Sequence, residues 1–217
     1  MKNTILKSIL VLSFLISFAA CSDDDTTVVA EPTQKEKAAA FLEAVNTRNV
    51  ASIEALVTED YIQHNPFLPT GRDAFVQVVT TVLAPNGTTV ENQRMIEDGN
   101  FVVMHNKWTN AAPFGADTVV TFDIIRFDEN GKIAEHWDTI QPWESNTVNG
   151  NTMVDGATTI RNLDQTAANK TLAVNILQDV LMGQNPNNIT NFIAEDYIQH
   201  TPGIGQGREG LRHYLEQ

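Results

Sequence analysis

Histidines and carboxylic acids recur on segments with strand-like alternation, and these side chains are the ones best suited to proton transfer. His136 and Asp138 are separated by one residue, so both point to the same side of an extended strand. His105 and Asp123 stand on two earlier segments of the same kind. Polar groups among apolar neighbours need partners when they are buried, so we expect these four side chains to meet in a cavity.

A carboxylic acid in an apolar cavity holds its proton more tightly than in water, which suits an acid or base working near neutral pH. We predict that Asp138 removes a proton from a carbon next to a carbonyl group, while His105 or His64 holds the enolate oxygen. Asp138 and His105 could instead form a buried pair that only shapes the sheet. A third interpretation is a metal site of His136, Asp138 and one of the other two histidines, although we expect no metal.

One stretch of the chain occurs twice. Residues 59–75 return almost unchanged at 195–211, with Tyr61 matching Tyr197 and His64 matching His200 at a constant offset of 136 residues (197 minus 61). Such self-similarity indicates an internal duplication. We therefore divide the chain into a domain at 35–143, a linker at 144–165 and a truncated second copy at 166–217, which we expect to be helical and inactive.

Periodicity predicts the order helix, helix, strand, helix and then four strands for the first copy. Thr33 with Glu36, and Thr70 with Asp73, resemble capping boxes at helix starts. The four later strands are predicted at 88–96, 100–109, 117–128 and 132–142, joined by turns that contain Gly99 and Gly131. Helices followed by an antiparallel sheet indicate an α+β fold, with the helices on one face of the sheet and a pocket between the two layers.

The N-terminus has the layout of an export signal. Two lysines precede an apolar run from Ile9 to Ala20, which is too short for a permanent membrane span. The run ends at Cys21 in a pattern that resembles a bacterial lipobox, and the acidic residues behind it resemble a surface-export signal. We expect a signal peptide at 1–20, a tether at 21–34, lipidation of Cys21, and anchoring to the outer membrane of a bacterial envelope. An ordinary signal peptide with a solvated tether is the alternative.

Composition excludes several classes of function. The chain carries 14 basic and 27 acidic residues, for a net charge of -13, so it repels nucleic acid and anionic lipid surfaces. A single cysteine allows neither an intramolecular disulfide nor a zinc-thiolate site. We expect the membrane to be contacted only through the N-terminal lipid.

Several motifs together resemble the SnoaL-like polyketide cyclases of the NTF2-like superfamily. They are Tyr-Ile-Gln-His-Asn-Pro at 61–66, Gly-Arg at 71–72, Val-Val-Met-His at 102–105, Phe-Asp-Ile-Ile-Arg-Phe at 122–127, and Asn-Gly-Lys-Ile-Ala-Glu-His-Trp-Asp-Thr-Ile-Gln at 130–141. The resemblance implies a cone of three helices on a curved, mostly antiparallel sheet, often dimeric through the outer sheet face.

By motif match, the resemblance also implies that Asp138 is the acid and base of a cofactor-free aldol cyclisation, isomerisation or dehydration. We expect the ligand to be a small apolar molecule with a carbonyl group, contacted by Tyr61, Asn65, Asp123 and His136. Because one fold carries many functions, a lipoprotein that binds such a molecule without converting it is the alternative.

Overall fold

The computed structural model describes residues 31–217. The predicted signal peptide, Cys21 and most of the predicted tether lie outside the described residues. Helix α1 spans Gln34–Thr47, and α2 spans Val50–Leu56. At the start of α1, the Thr33 hydroxyl accepts from the backbone N–H of Glu36, whose carboxylate accepts from the backbone N–H of Thr33. This confirms the first predicted capping box, which satisfies two N–H groups that the helix itself leaves unpaired.

The third helix starts differently from the prediction. Helix α3 spans Arg72–Val78 and continues through a π-helical segment, Val79–Leu83, into the single turn α4, Ala84–Asn86. Gly71 is the residue before the first turn, with a φ of 98° that favours glycine, so the cap position has no side chain to donate or accept. The Thr70 hydroxyl instead donates to the carbonyl of Tyr61 and accepts from the backbone N–H of Gln63. The second predicted capping box is therefore wrong.

Five strands form one sheet in the order β1-β5-β4-β3-β2. Their bounds are β1 Val57–Gln63, β2 Thr89–Asp98, β3 Phe101–Thr109, β4 Thr118–Phe127 and β5 Ile133–Pro142. β1 pairs with β5 in parallel, and the other three pairs are antiparallel. The four strands predicted after the helices are confirmed to within two residues at each end.

The inner face of the sheet packs on the helices. Side chains of α1 and of the π-helical segment share a buried core with alternate residues of the strands, for example Phe41, Val45, Val79, Val102, Met104, Ile125 and Phe127. The opposite, outer face carries Phe101, Phe122 and Ile124, which are partly exposed. Three helices on one face of a curved, mostly antiparallel sheet make the α+β cone that was predicted.

Beyond the sheet, the chain is helical or irregular. A 3-10 turn at Leu163–Gln165 precedes α5, Thr166–Asn175, which continues as a π-helical segment, Ile176–Met182. A 3-10 stretch at Pro186–Asn191 and helix α6, Gly207–Leu215, follow. Within residues 144–217 no strand is formed. None of the helices in the described range is both long and apolar enough to cross a bilayer.

The two similar stretches share local hydrogen bonds. In the first, the Gln63 side-chain oxygen accepts from the backbone N–H of Asn65, and Leu68 N–H donates to the Asn65 carbonyl. In the second, the Gln199 side-chain oxygen accepts from Thr201, and Ile204 N–H donates to the Thr201 carbonyl. Gly207, the first residue of α6, has a positive φ, as does Gly71, the residue before α3. The partial second copy is still a prediction.

Candidate active site

The inner cavity lies between the helices and the inner face of the sheet. Its volume is about 60 Å³ and its walls are mainly apolar. Four of the predicted site residues line it: Tyr61, Asp123, His136 and Asp138. His136 and Asp138 come from alternate positions of β5, and Asp123 lies opposite Asp138 on β4, so strand pairing brings the three side chains together.

Asp123 is the centre of a hydrogen-bond network. Its Oδ1 lies 3.1 Å from Nε2 of His136, and its Oδ2 accepts from the Asn106 amide at 2.8 Å and from the Thr121 hydroxyl. The indole N–H of Trp108 donates to Thr121 at 3.0 Å. Asp123 is buried, and this set of donors offsets the loss of its hydration.

The proton arrangement of His136 follows from its neighbour Gln63. The Gln63 side-chain oxygen accepts from the backbone N–H of Asn65, which identifies that atom as the oxygen. The same oxygen lies 2.9 Å from Nδ1 of His136, so Nδ1 must carry a hydrogen. The hydrogen bond from Nε2 of His136 to Asp123 then requires one further proton between these two atoms. The His136–Asp123 pair therefore holds a proton inside the cavity.

Asp138 is held by one residue. The side-chain Nδ2 of Asn65 lies 2.8 and 3.1 Å from the two carboxylate oxygens of Asp138. The Asn65 side-chain oxygen accepts from the backbone N–H of Phe67 at 2.9 Å, which fixes the amide orientation. Asp138 lines the inner cavity, and one of its oxygens lies within 4.8 Å of an atom of Asp123 and of His136. The carboxylate is thus oriented and still borders open space.

Tyr61 supplies a hydrogen-bond donor. Its side chain is only 2% exposed, and its hydroxyl accepts from the Gln63 amide at 3.1 Å. Burial raises the pKa of Tyr61 above its ordinary value, and the carboxylates of Asp123 and Asp138 raise it further. The hydroxyl therefore stays protonated, and no acceptor for its hydrogen occurs among the described residues. A ligand oxygen in the cavity could accept this hydrogen bond.

The inner cavity adjoins a larger space, which we call the vestibule. The vestibule has a volume of about 680 Å³, and Asn65 and Phe67 stand on its rim. It shares four apolar wall residues with the inner cavity, namely Leu68, Val78, Phe114 and Ile140. Ligand sites usually measure about 300 to 1,000 Å³. The vestibule is therefore large enough for the body of a small molecule, and the inner cavity only for one end of it.

Two predicted catalytic residues lie on the wrong face of the sheet. His105 pairs with Phe122 of β4 and stacks on its ring at 4.3 Å, so its side chain points to the outer face, while Met104 and Trp108 point inward. Nε2 of His64 donates to the Glu135 carboxylate at 2.7 Å, and the ring stacks on Trp137, again outside. The prediction that either histidine meets Asp138 is wrong because successive residues of a strand alternate between faces.

A different set of metal-ligand types lies close together. One atom each of Asp123, His136 and Asp138 lie within 4.8 Å of one another. The predicted triad with His105 or His64 does not form, since those side chains lie on the outer face. Binding of a cation would have to break the hydrogen bonds from His136 to Asp123 and from Asn65 to Asp138.

Four polar residues of the network were not predicted to belong to the site: Gln63, Asn106, Thr121 and Trp108. Gln63 shares strand parity with Tyr61, and Thr121 shares it with Asp123, so alternation alone could have identified both. Asn106 and Trp108 could not be assigned without the register of β3 against β4.

A known sequence family matches part of the chain. Residues 38–136 match the sequence family described as SnoaL-like domain. A comparison with curated protein sequences gives no match.

Solved structures provide further comparisons. An NTF2-like protein of unknown function from Cytophaga hutchinsonii is 15% identical, covers 52% of this chain and 94% of its own, and has a TM-score of 0.45. A SnoaL-like polyketide cyclase from Agrobacterium tumefaciens is 15% identical over 51% and 93%, with a TM-score of 0.43. TsrD from Streptomyces laurentii is 17% identical over 51% and 90%, with a TM-score of 0.43.

Proposed function

Because residues 38–136 of this chain are a SnoaL-like domain, we propose that the cone binds a small apolar molecule with a carbonyl group and that Asp138 exchanges protons with it. One observation carries the proposal. The Asp138 carboxylate borders a mainly apolar cavity, in which the hydroxyl of Tyr61 is a donor that has no acceptor within residues 31–217. A base and a donor on the same cavity are the two groups that enolisation of a carbonyl compound needs.

The proposed reaction starts with the C–H bond next to the carbonyl. Asp138 takes the proton, and the electron pair of that bond moves into the C–C–O system to give an enolate. Tyr61 donates a hydrogen bond to the developing oxygen anion, in the role first predicted for His105 or His64. The His136–Asp123 pair holds a proton near the same region and stabilises negative charge. Return of the proton to another carbon gives isomerisation, and attack on a second carbonyl gives aldol cyclisation.

The proposed ligand occupies both the inner cavity and the vestibule. The carbonyl end enters the inner cavity of about 60 Å³, and the apolar body occupies the vestibule of about 680 Å³. Leu68 and Phe114 stand at the junction and contact both parts. Burial of the apolar body in this vestibule supplies most of the binding free energy. No cofactor takes part in the proposed steps.

An exchange experiment tests the proposal. The full chain is incubated with 2-tetralone in D₂O, and loss of the α-proton signal is followed by NMR. We expect exchange faster than in buffer, and Asp138→Asn to slow the catalysed rate about 100-fold or more, because general base catalysis contributes at least that much. Asp117→Asn, an exposed position with the same charge change, is the control. Exchange that is unaffected by Asp138→Asn would refute the role of this residue.

A non-catalytic binding protein is the second candidate function. It is favoured by the hydrogen bonds from Asn65, which already occupy both oxygens of Asp138. In that case 2-tetralone binds, as measured by calorimetry, without any exchange of its α-protons. Asp138→Asn would then change the affinity by less than about tenfold, since it keeps an acceptor for Asn65.

We also propose that the chain is a bacterial lipoprotein anchored to the outer membrane through Cys21. The support comes from the sequence of residues 1–25 alone, with its lysines, apolar run and single cysteine. Expression in a bacterial host with labelled palmitate should label the chain, and Cys21→Ser should abolish the label. Label that persists in the Cys21→Ser variant would contradict the anchor.

The division into domains is a proposal as well. We propose that residues 166–217 are a truncated second SnoaL-like copy, behind a linker at 144–165. The shared hydrogen bonds around Gln63 and Gln199 support it. Pairing of two chains through the outer sheet face remains a proposal, which sedimentation of the full chain at several concentrations would test.

A further inference from the structure

A second cavity, which we call the outer pocket, lies on the opposite side of the sheet from Asp138. Its volume is about 420 Å³, within the range of small-molecule sites. Phe122 and Val120 of the sheet form one wall, and Met153, Tyr197 and His200 form the other. No carboxylate side chain is among its lining residues, although the chain has nearly twice as many acidic as basic residues.

Arg94 brings a positive charge to the outer pocket. Its guanidinium donates to Nδ1 of His105 at 2.6 Å and to the main-chain oxygens of Val154 and Asp155. These bonds use three of its five N–H groups. Within residues 31–217 no carboxylate lies within 4.0 Å of Arg94. The Asp155 carboxylate lies against His200 instead, at 2.9 Å. In the described part of the chain, Arg94 therefore has two N–H groups without an acceptor and a charge without a counter-ion.

His105 contributes a buried N–H. Its side chain is 5% exposed, and because a guanidinium can only donate, Nδ1 of His105 must accept and Nε2 must carry the hydrogen. Nε2 has no hydrogen-bond partner among the described residues but keeps some accessible surface, and His105 lines the outer pocket. The pKa of His105 is lowered by burial and then by the charges of Arg94 and His200, whereas Asp123 opposes this. The neutral ring with a donor at Nε2 is thus the stable form.

Gln199 contributes a second buried donor. Its side chain is 4% exposed, and its oxygen accepts from the backbone N–H groups of His200 and Thr201 at 2.9 and 2.8 Å. These two donors identify the oxygen, so the side-chain NH₂ is the other end of the amide. That NH₂ has no acceptor among the described residues, and Gln199 lines the outer pocket. A ligand oxygen in the pocket could accept from this NH₂.

We propose that the outer pocket binds a small organic carboxylate, whose oxygens accept from Arg94, His105 and Gln199 and whose apolar part packs on Phe122 and Met153. A carboxylate has acceptors only, which complements a set of donors without acceptors. The negative charge of the carboxylate also supplies the counter-ion for the Arg94 guanidinium. The apolar side chains of Phe122 and Met153 favour an anion with a hydrocarbon body over an inorganic one.

Calorimetry with three probes tests the ligand class on the full chain. Sodium benzoate has the charge and the ring, benzamide has the ring alone, and acetate has the charge alone. We expect benzoate to bind about tenfold or more tightly than either of the other two, because hydrogen bonds to a charged group are the stronger ones. Equal affinities for benzoate and benzamide would overturn the proposal.

Gln199→Glu tests the site. The substitution keeps an oxygen for the two backbone donors and replaces the NH₂ by a second oxygen, so benzoate should bind about tenfold or more weakly. Gln77→Glu makes the same charge change at an exposed position of α3 and should leave the affinity unchanged. Circular dichroism shows whether both variants fold. Benzoate affinity that is unchanged in a folded Gln199→Glu variant would refute the site.

NMR of ¹⁵N-labelled histidine in the unmodified chain requires no variant. Benzoate should shift the side-chain nitrogens of His105 and His200 and leave those of His136 unchanged. A shift of His136 alone would place benzoate in the inner cavity and overturn the proposal, without bearing on proton exchange by Asp138.

Discussion

The side-chain amide of Asn65 donates to both carboxylate oxygens of Asp138, at 2.8 and 3.1 Å. The first residue follows β1 and the second lies in β5, so this contact joins the two strands that pair in parallel at one edge of the sheet. Asn65 is itself fixed, because its backbone N–H donates to the Gln63 side-chain oxygen and its own side-chain oxygen accepts from the backbone N–H of Phe67. The position of the proposed base therefore depends on the loop after β1.

Exchanging the two residues tests this dependence. Asn65→Asp places two carboxylates in contact, and we expect it to lower the free energy of unfolding by about 1 to 3 kcal/mol at neutral pH. The double variant Asn65→Asp with Asp138→Asn restores one donor and one acceptor, so it should regain most of that loss. Urea denaturation measures all three variants. Strict additivity of the two single effects would show that the residues are not coupled.

Asp123 is expected to matter more for stability than any exposed acid. Asp123→Asn replaces one accepting oxygen by an NH₂ group. That NH₂ then faces either the donors of Asn106 and Thr121 or the ring nitrogen of His136, depending on the orientation of the new amide. The free energy of unfolding should fall by about 2 to 3 kcal/mol, measured by urea denaturation. Asp117→Asn, at an exposed position, should change it by less than about 0.5 kcal/mol. Equal effects of the two substitutions would contradict the network.

Glu135 is expected to make a pH-dependent contribution to the free energy of unfolding. Hydrogen bonds from His64 and Arg126 lower the pKa of Glu135 below the ordinary value of 4.5. As the pH falls, the Glu135 carboxylate is therefore protonated in the unfolded chain before it is protonated in the folded one. Its stabilisation is therefore complete well above pH 4.5 and is lost as the pH falls through the lower, folded-state pKa. Glu135→Gln should cost about 1 kcal/mol near pH 7 and progressively less in acid.

The measurement is the free energy of unfolding of wild type and variant across that pH range. Glu54→Gln removes an exposed carboxylate of α2 and serves as the control. A difference in the free energy of unfolding between wild type and Glu135→Gln that grows as the pH falls would contradict a lowered pKa of Glu135 in the folded chain.

Substitution of Gly71 is predicted to destabilise the fold because of the backbone conformation at this position. Its φ is 98°, and a Cβ placed there would meet nothing within 4 Å, so any loss comes from the dihedral angle alone. Gly71→Ala should lower the free energy of unfolding by about 1 to 2 kcal/mol. Gly203→Ala has equally open surroundings without a positive φ and should be neutral or slightly stabilising. Thermal unfolding of both variants distinguishes these outcomes.

Alternation along a strand predicted which residues share a face but could not say which face is inside. It correctly grouped His136 with Asp138, because both lie on β5. It could not relate His105 to Asp123, since they lie on different strands and the pairing of Met104 with Asp123 is set by register. Both faces of β4 carry apolar side chains, so hydrophobicity gave no sign of the inner face.

His64 could have been excluded from the sequence. It has the opposite parity to Tyr61 on the same extended segment, so the two side chains were not expected on one wall of a cavity. The outer pocket, in contrast, had no signal in the sequence. It exists because Met153 and a segment at 197–201 lie opposite the outer face of the sheet, a long-range contact that periodicity does not describe.

The parallel pairing of β1 with β5 joins Val57 to Ile133, a separation of 76 residues (133 minus 57). During synthesis, the helices and β1 leave the ribosome long before their partner strand exists, and closing so long a loop is slow. A nascent chain that ends before residue 133 would lack His136 and Asp138, and its apolar helix faces would be open to chaperones. The residues that complete the proposed proton-transfer site are thus also those that complete folding of the domain.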